Sequence, residues 1–155
     1  MKKAKLLLTV AAVLLLTALL ASCGNKTPQT GTGFTDIMKN AGFEVLDVTD
    51  TTDTDGLASA VIIALGENYQ IEFYELVDSE TGEAVFYENK EIFDEEHAVK
   101  TMSTSVSMGN YNYYAFNAGG EFHLVSRIEN TMLYCVADVA YKDEIVDHVK
   151  TLGYR

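Results

Sequence analysis

The apolar positions of this chain change period several times, and each change marks an element. Phe34, Ile37, Met38 and Ala41 fall at the i, i+3, i+4, i+7 spacing of one helical stripe, and Gly42 supplies the left-handed residue that ends a helix. A strand is expected over 43–48, followed by the polar stretch DTTDTDG at 50–56. Residues 58–65 are a nearly continuous apolar run rich in β-branched side chains, and 69–77 alternate Ile71 and Phe73 with Glu72 and Tyr74. Gly66-Glu67-Asn68 between them has turn chemistry, so the pair predicts a β-hairpin. Val85, Phe86, Asn89, Ile92 and Phe93, with acids on the opposite side, predict a helix over 83–97 capped by Ser79 or Thr81. Three alternating runs at 110–117, 121–129 and 131–140 predict a meander, and Ile145, Val149 and Leu152 followed by Gly153 predict a closing helix over 141–152.

These elements make an α+β domain with the order α-β-β-β-α-β-β-β-α. An antiparallel sheet of about five to six strands is expected to pack one face against the helices. The order reads as a weak internal repeat of one helix and three strands.

The N-terminus follows a different pattern. Lys2, Lys3 and Lys5 precede an almost wholly apolar run at 6–21, which closes in Leu20-Ala21-Ser22-Cys23-Gly24. This is the charge, apolar core and small-residue cleavage site of a secretory signal. The run supplies 16 residues, fewer than the roughly 20 a spanning helix needs, so a retained transmembrane segment is the poorer reading. Residues 1–22 are therefore read as a leader. Residues 24–33, GNKTPQTGTG, hold the only proline and no large apolar side chain, which predicts a flexible tether over 23–33 with a reach of roughly 15–20 Å. A single domain over 34–155 follows.

Charge narrows the partners. Without Lys2, Lys3 and Lys5 the chain keeps 8 of its 11 cations against 23 carboxylates, a formal charge of about −15. Such a surface repels nucleic acid and anionic headgroups, so no nucleic-acid partner is expected. Beyond Cys23 only Cys135 remains, so no intramolecular disulfide staples the domain. Alternation places Cys135 with Leu133 and Ala137 on an apolar strand face, where it acts as a small hydrophobe.

Catalytic and metal motifs are absent: there is no Gly-x-Ser-x-Gly, His-Glu-x-x-His, Ser-x-x-Lys or phosphate loop. His97, His123 and His148 lie on different elements, none at ligand spacing from another. Asp50, Asp53 and Asp55 precede Gly56 as in a calcium loop, but Thr51 and Ile62 stand at the first and last ligand positions. Too few oxygens remain for a hard cation, and a solvated acidic loop is expected, with a calcium site as the alternative. Glu88, Glu91 and Glu95 read as the solvent side of a helix. No cofactor is expected.

Two groups of side chains stay in view as binding candidates. Tyr111, Tyr113 and Tyr114 crowd one strand and could form a recognition face, although alternation sends part of them into the core. His123 and Arg127, four apart on one strand, share a face and could nucleate a site formed only in three dimensions.

Leu20-Ala21-Ser22-Cys23 resembles the lipobox of bacterial lipoproteins. The resemblance implies cleavage before Cys23, which makes it the mature N-terminus, and diacylglyceryl modification of its thiol with palmitate-type chains. Two acyl chains hold a protein stably where one would not. With the polar tether, Tyr69-Gln70-Ile71-Glu72-Phe73-Tyr74, the 86–93 helix, Asn110-Tyr111, Val125-Ser126-Arg127-Ile128 and Tyr141-Lys142-Asp143-Glu144-Ile145, the chain is similar to small uncharacterised lipoproteins of Gram-positive anaerobic bacteria. That family carries localisation and fold and no catalytic residue. The expectation is a lipid-anchored protein on the extracytoplasmic face of the cell membrane. It would bind an envelope protein, peptide or small ligand, with an enzyme or enzyme subunit around His123 and Arg127 as the alternative.

Overall fold

A computed structural model describes residues 25–155; the expected leader, the motif at 20–23 and Cys23, the expected acylation site, lie outside the described residues. The elements run α1 (Gly31–Asn40), β1 (Glu44–Asp47), β2 (Ala58–Leu65), β3 (Gln70–Leu76), α2 (Ser79–Glu96), β4 (Thr101–Met108), β5 (Tyr111–Ala118), β6 (Glu121–Ile128), β7 (Thr131–Asp138) and α3 (Lys142–Thr151). The strands form one antiparallel sheet of seven in the order β1-β2-β3-β7-β6-β5-β4. The fold class is α+β, as expected. The strand number and the order α-β-β-β-α-β-β-β-β-α correct the expectation of five to six strands and three in the second half. The additional strand is β4, whose sequence TMSTSVSM carries little apolar alternation because it is an edge exposed along nearly its whole length.

The second correction concerns the layers: helices cover both faces of the sheet. On one face Phe34 and Met38 of α1 and Ile145, Val149 and Leu152 of α3 pack on Ile71, Phe73, Leu124 and Leu133. On the other, Phe86 and Phe93 of α2 pack on Phe116, Val125 and Met132. Strands β5 and β6 are consequently buried on both sides, which is why their sequences mix apolar residues into both phases of the alternation.

Helices α1 and α3 end alike. After α1, Gly42 at φ 95° lets its own amide bond Lys39 O and the Phe43 amide bond Met38 O; after α3, Gly153 at φ 88° places its amide on Lys150 O and that of Tyr154 on Val149 O. Each glycine thus turns an aromatic ring back under its helix. Tyr154 is fully buried, its carbonyl accepts from Tyr111 Oη and Ser126 Oγ, both at 2.9 Å, and its hydroxyl is bonded to Thr131 Oγ1. The penultimate residue of the chain is therefore a core residue. At the other end Thr30 caps α1 through Gly33 N, three residues before the expected helix start. Asn110 accepts from Lys26 N at 2.9 Å and donates to Lys26 O at 2.8 Å. The tether expected to reach residue 33 is held to the domain from Lys26 onward, because the side-chain amide of Asn110 offers a donor and an acceptor to one backbone residue.

α2 begins at Ser79, earlier than the apolar stripe shows, with Asp78 rather than Ser79 or Thr81 as its cap: Asp78 Oδ1 accepts from Thr81 N at 2.7 Å. In its first turn the backbone meets the β6–β7 turn. A Cβ on Gly82 would stand 2.5 Å from Glu129 O and 3.2 Å from Asn130 Cα. In an open helix Gly→Ala stabilises by about 1 kcal/mol. Here Gly82→Ala is expected to destabilise by about 1–3 kcal/mol, because the clash is with backbone that cannot swing aside. Urea unfolding of the two proteins measures the sign directly.

Candidate functional site

The open half of the sheet creates a cleft. Cross-strand register places Tyr74 opposite Met132 and Glu72 opposite Tyr134, all on the α2 side. α2 covers β6 and much of β7, leaving Tyr74 and Tyr134 half-buried along its flank. The wall opposite the helix is Leu57, held in place because its amide donates to Thr54 O and its carbonyl accepts from Val77 N. Between these walls lies a cleft of about 240 Å³ lined by Thr54, Leu57, Ala58, Tyr74, Leu76, Val85, Asn89, Met132 and Tyr134. A neighbouring recess shares Leu57 and Val85 and adds Asp78, Glu80, Thr81, Ala84 and Glu88.

The polar group beside the cleft is a carboxylate. Glu72 Oε1 accepts from Gln70 Nε2 at 2.7 Å and Oε2 accepts the Tyr74 hydroxyl. Among the described residues no Lys, Arg or His forms an ion pair with it. Burial, then the Glu72 carboxylate, push the Tyr74 hydroxyl well above the ordinary tyrosine range, and the same two causes, joined by Glu96, raise Tyr134. Both phenols stay neutral donors throughout the physiological range. Tyr134 stacks on Phe93, with ring centroids 5.6 Å apart, so its ring is fixed from the α2 side.

The tyrosines expected to make a recognition face do not make one. Tyr111, Tyr113 and Tyr114 are all buried, Tyr111 and Tyr113 in the core under α1 and α3 and Tyr114 under α2. Three cations lie over them, Lys26 over Tyr111, Arg155 over Tyr113 and Lys90 over Tyr114, and a fourth, Lys100, lies over Phe116. Tyr114 Oη also donates to Asp94 Oδ1 at 2.6 Å, and Lys90 and Lys100 pair with the same carboxylate. Burial works against the Asp94 charge, but these three donors outweigh it and hold the carboxyl far below its usual range.

His123 and Arg127 do share the α2 face, and neither lines the cleft. Arg127 is buried and spends its fork on Glu129 O at 2.7 Å, Asn112 Oδ1 at 2.6 Å, Ser79 O at 3.0 Å and Ser79 Oγ at 2.8 Å. It ties the start of α2 to β5 and the β6–β7 turn, which is structural work. His123 stacks flat on Phe116 at 4.7 Å and lies 4.4 Å from the His97 ring, with neither of its nitrogens hydrogen-bonded. Asp50, Asp53 and Asp55 are all exposed on their loop, and Asp53 Oδ1 accepts from Asp55 N at 3.1 Å. Among the described residues no three His, Cys, Asp or Glu side chains converge for a metal ion. Cys135 is buried, and burial followed by the Glu72 charge pushes its thiol up to about 12, which makes it a poor nucleophile.

No family model, curated protein or solved structure matches the chain. The cleft must speak for itself. One of its residues is faintly marked in the sequence: Tyr74 is an aromatic on the polar phase of the β3 alternation, and it packs against the core on the α2 face.

His123 yields a pH test. Burial first, and His97 second, lower its pKa, against weaker opposing pulls from Glu121 and Glu96. The folded state resists a proton that the unfolded chain takes up near the ordinary histidine value of about 6.5. Stability therefore falls as pH drops through that value, since the unfolded state binds more protons. His123→Phe, which keeps the stack on Phe116, is expected to flatten the decline between pH 7 and 5 in urea titrations. An unchanged slope would assign the decline to other groups.

Proposed function

We propose that this protein is a lipid-anchored binding module on the extracytoplasmic face of the cell membrane, holding a small ligand in the cleft beside α2. The observation that carries the reading is the cleft: apolar walls from three strands, a helix and a loop, two half-buried tyrosines, and a floor held in register by the sheet. Sites for small molecules are mostly apolar concavities with a few placed polar groups, and this one, at about 240 Å³, suits a ligand of modest size. The N-terminal pattern supports the anchor. Among the described residues no helix is long and apolar enough to cross a membrane.

The geometry gives the enzymatic alternative little support, because Arg127 is committed to four protein acceptors and His123 is packed between rings. A second mode of binding has its own observation. β4 is an eight-residue edge with no charged residue and no proline, exposing Met102 and Met108 and preceded by exposed Val99. Natural edges are usually blunted by charges, prolines or bulges; here the register shifts only near Thr101–Thr104, and the edge beyond it can accept an extended chain as an added strand.

Two measurements test these assignments. Cys23→Ser is expected to shift the protein from the membrane fraction to the soluble one after cell fractionation. Retention in the membrane would refute the acyl anchor. Titration with 1-hexanol is expected to move the methyl resonances of Leu57, Val85 and Met132, and Val85→Trp, which fills the cleft, to remove the response. Shifts confined to β4 amides would move the binding site to the sheet edge.

A further inference from the structure

The surroundings of the cleft choose the charge of its occupant. Not one of the residues lining the cleft or the adjoining recess is cationic, whereas Asp78, Glu80 and Glu88 line the recess and Glu72 sits behind Tyr74. The nearest cations are engaged elsewhere: Lys90 and Lys100 pair with Asp94, and Arg127 is buried among neutral acceptors. An anionic ligand would enter a field of one sign with no donor to meet it. A neutral apolar ligand would leave Glu72 unused.

Glu72 has capacity left. A carboxylate offers about four lone-pair sites, and Gln70 and Tyr74 occupy one each. Its cross-strand partner is Tyr134 and its neighbour on the same face is Tyr74, so two aromatic rings flank the charge. Rings beside a carboxylate are the combination that recognises ammonium groups, with the ring quadrupole and the negative charge acting together. The remaining lining, Leu57, Leu76, Val85 and Met132, suits a saturated chain.

We infer that the ligand of this cleft is an aliphatic ammonium compound, its hydrocarbon chain lying on Leu57, Val85 and Met132 and its charged head at Glu72 between Tyr74 and Tyr134. The inference rests on the cleft being a small-molecule site and adds the chemistry of the occupant.

The experiment compares three probes of equal chain length, hexylammonium, 1-hexanol and hexanoate, titrated into the full chain while methyl resonances of Val85 and Met132 are followed. Hexylammonium is expected to bind at least about tenfold more tightly than hexanol, and hexanoate more weakly than either. Glu72→Gln, nearly isosteric and partly exposed, is expected to remove about tenfold of the hexylammonium affinity and to change that of hexanol by much less. The double variant Glu80→Gln/Glu88→Gln, on the exposed side of α2, reports the contribution of the recess without touching the fold. Equal affinity for hexanol and hexylammonium, or an affinity indifferent to Glu72→Gln, would overturn the ammonium assignment and leave the cleft as an apolar site. Failure of all three probes to move the cleft resonances would overturn both.

Discussion

The crossover from β3 to β4 is the constraint on which the rest of the molecule depends. β3 lies third in the sheet and β4 lies at the far edge, so the connection must travel across β7, β6 and β5. The chain makes the passage as a helix of 18 residues, α2, which spans about 27 Å at 1.5 Å per residue. Strands are spaced about 4.8 Å apart, so four steps from β3 to β4 cover roughly 19 Å, and the helix is long enough to complete the crossing obliquely. Its route fixes which part of the face it protects. β5, β6 and β7 are covered; β1, β2 and β3 are left to their own side chains. The cleft is the boundary between the two regimes, and its position follows from strand order.

A helix laid across a sheet has to be held at its ends, and the two ends of α2 are held differently. The N-terminus is close-packed: Gly82 admits the carbonyl of Glu129, and the guanidinium of Arg127 joins Ser79, Asn112 and Glu129 through neutral oxygens alone. A buried cation without a carboxylate is costly unless its donors are met, and four hydrogen bonds meet most of them. The C-terminal end is held by charge and rings, through Asp94 with Lys90, Lys100 and Tyr114, and through Phe93 against Tyr134. The same Tyr134 is a wall of the cleft. Contacts that fix the helix therefore also fix the site.

Much of this architecture is legible in the residues, and the illegible parts share a cause. The β2–β3 hairpin and the terminal helices follow from periodicity, and the three later strands from apolar runs cut by turn residues, although β5 and β6 are buried on both faces. β4 escapes because an edge strand is specified by backbone pairing with β5, and Ser and Thr at its exposed positions leave no apolar signal. The double burial of β5 reads in sequence as an aromatic surface; NYYAF looks like a binding strip when a second layer is not foreseen. Tyr111, Tyr113 and Tyr114 are packing residues for that reason. The cleft residues come from β2, β3, α2, β7 and a loop, so no local window could have gathered them.

Charge distribution then links the sheet to the cleft. The four cations that stand over aromatic rings all stand over β5, at the end of the sheet farthest from β1. In a chain with 23 carboxylates, these cations are held away from the cleft, and neither its lining nor that of the adjoining recess carries one. Glu72, Asp78, Glu80 and Glu88 border that concavity, which is walled by apolar side chains of low polarisability, and the walls concentrate their field. Packing at β5 thereby contributes to selectivity at a distance: the rings that bury the sheet draw in the cations, and the cleft stays negative. Anchored as proposed, a protein of this composition would be repelled by an anionic membrane surface over roughly a Debye length, about 8 Å at physiological salt. A small cation concentrated near that surface would meet no such barrier, and the proposed site would offer it an apolar wall together with a charge.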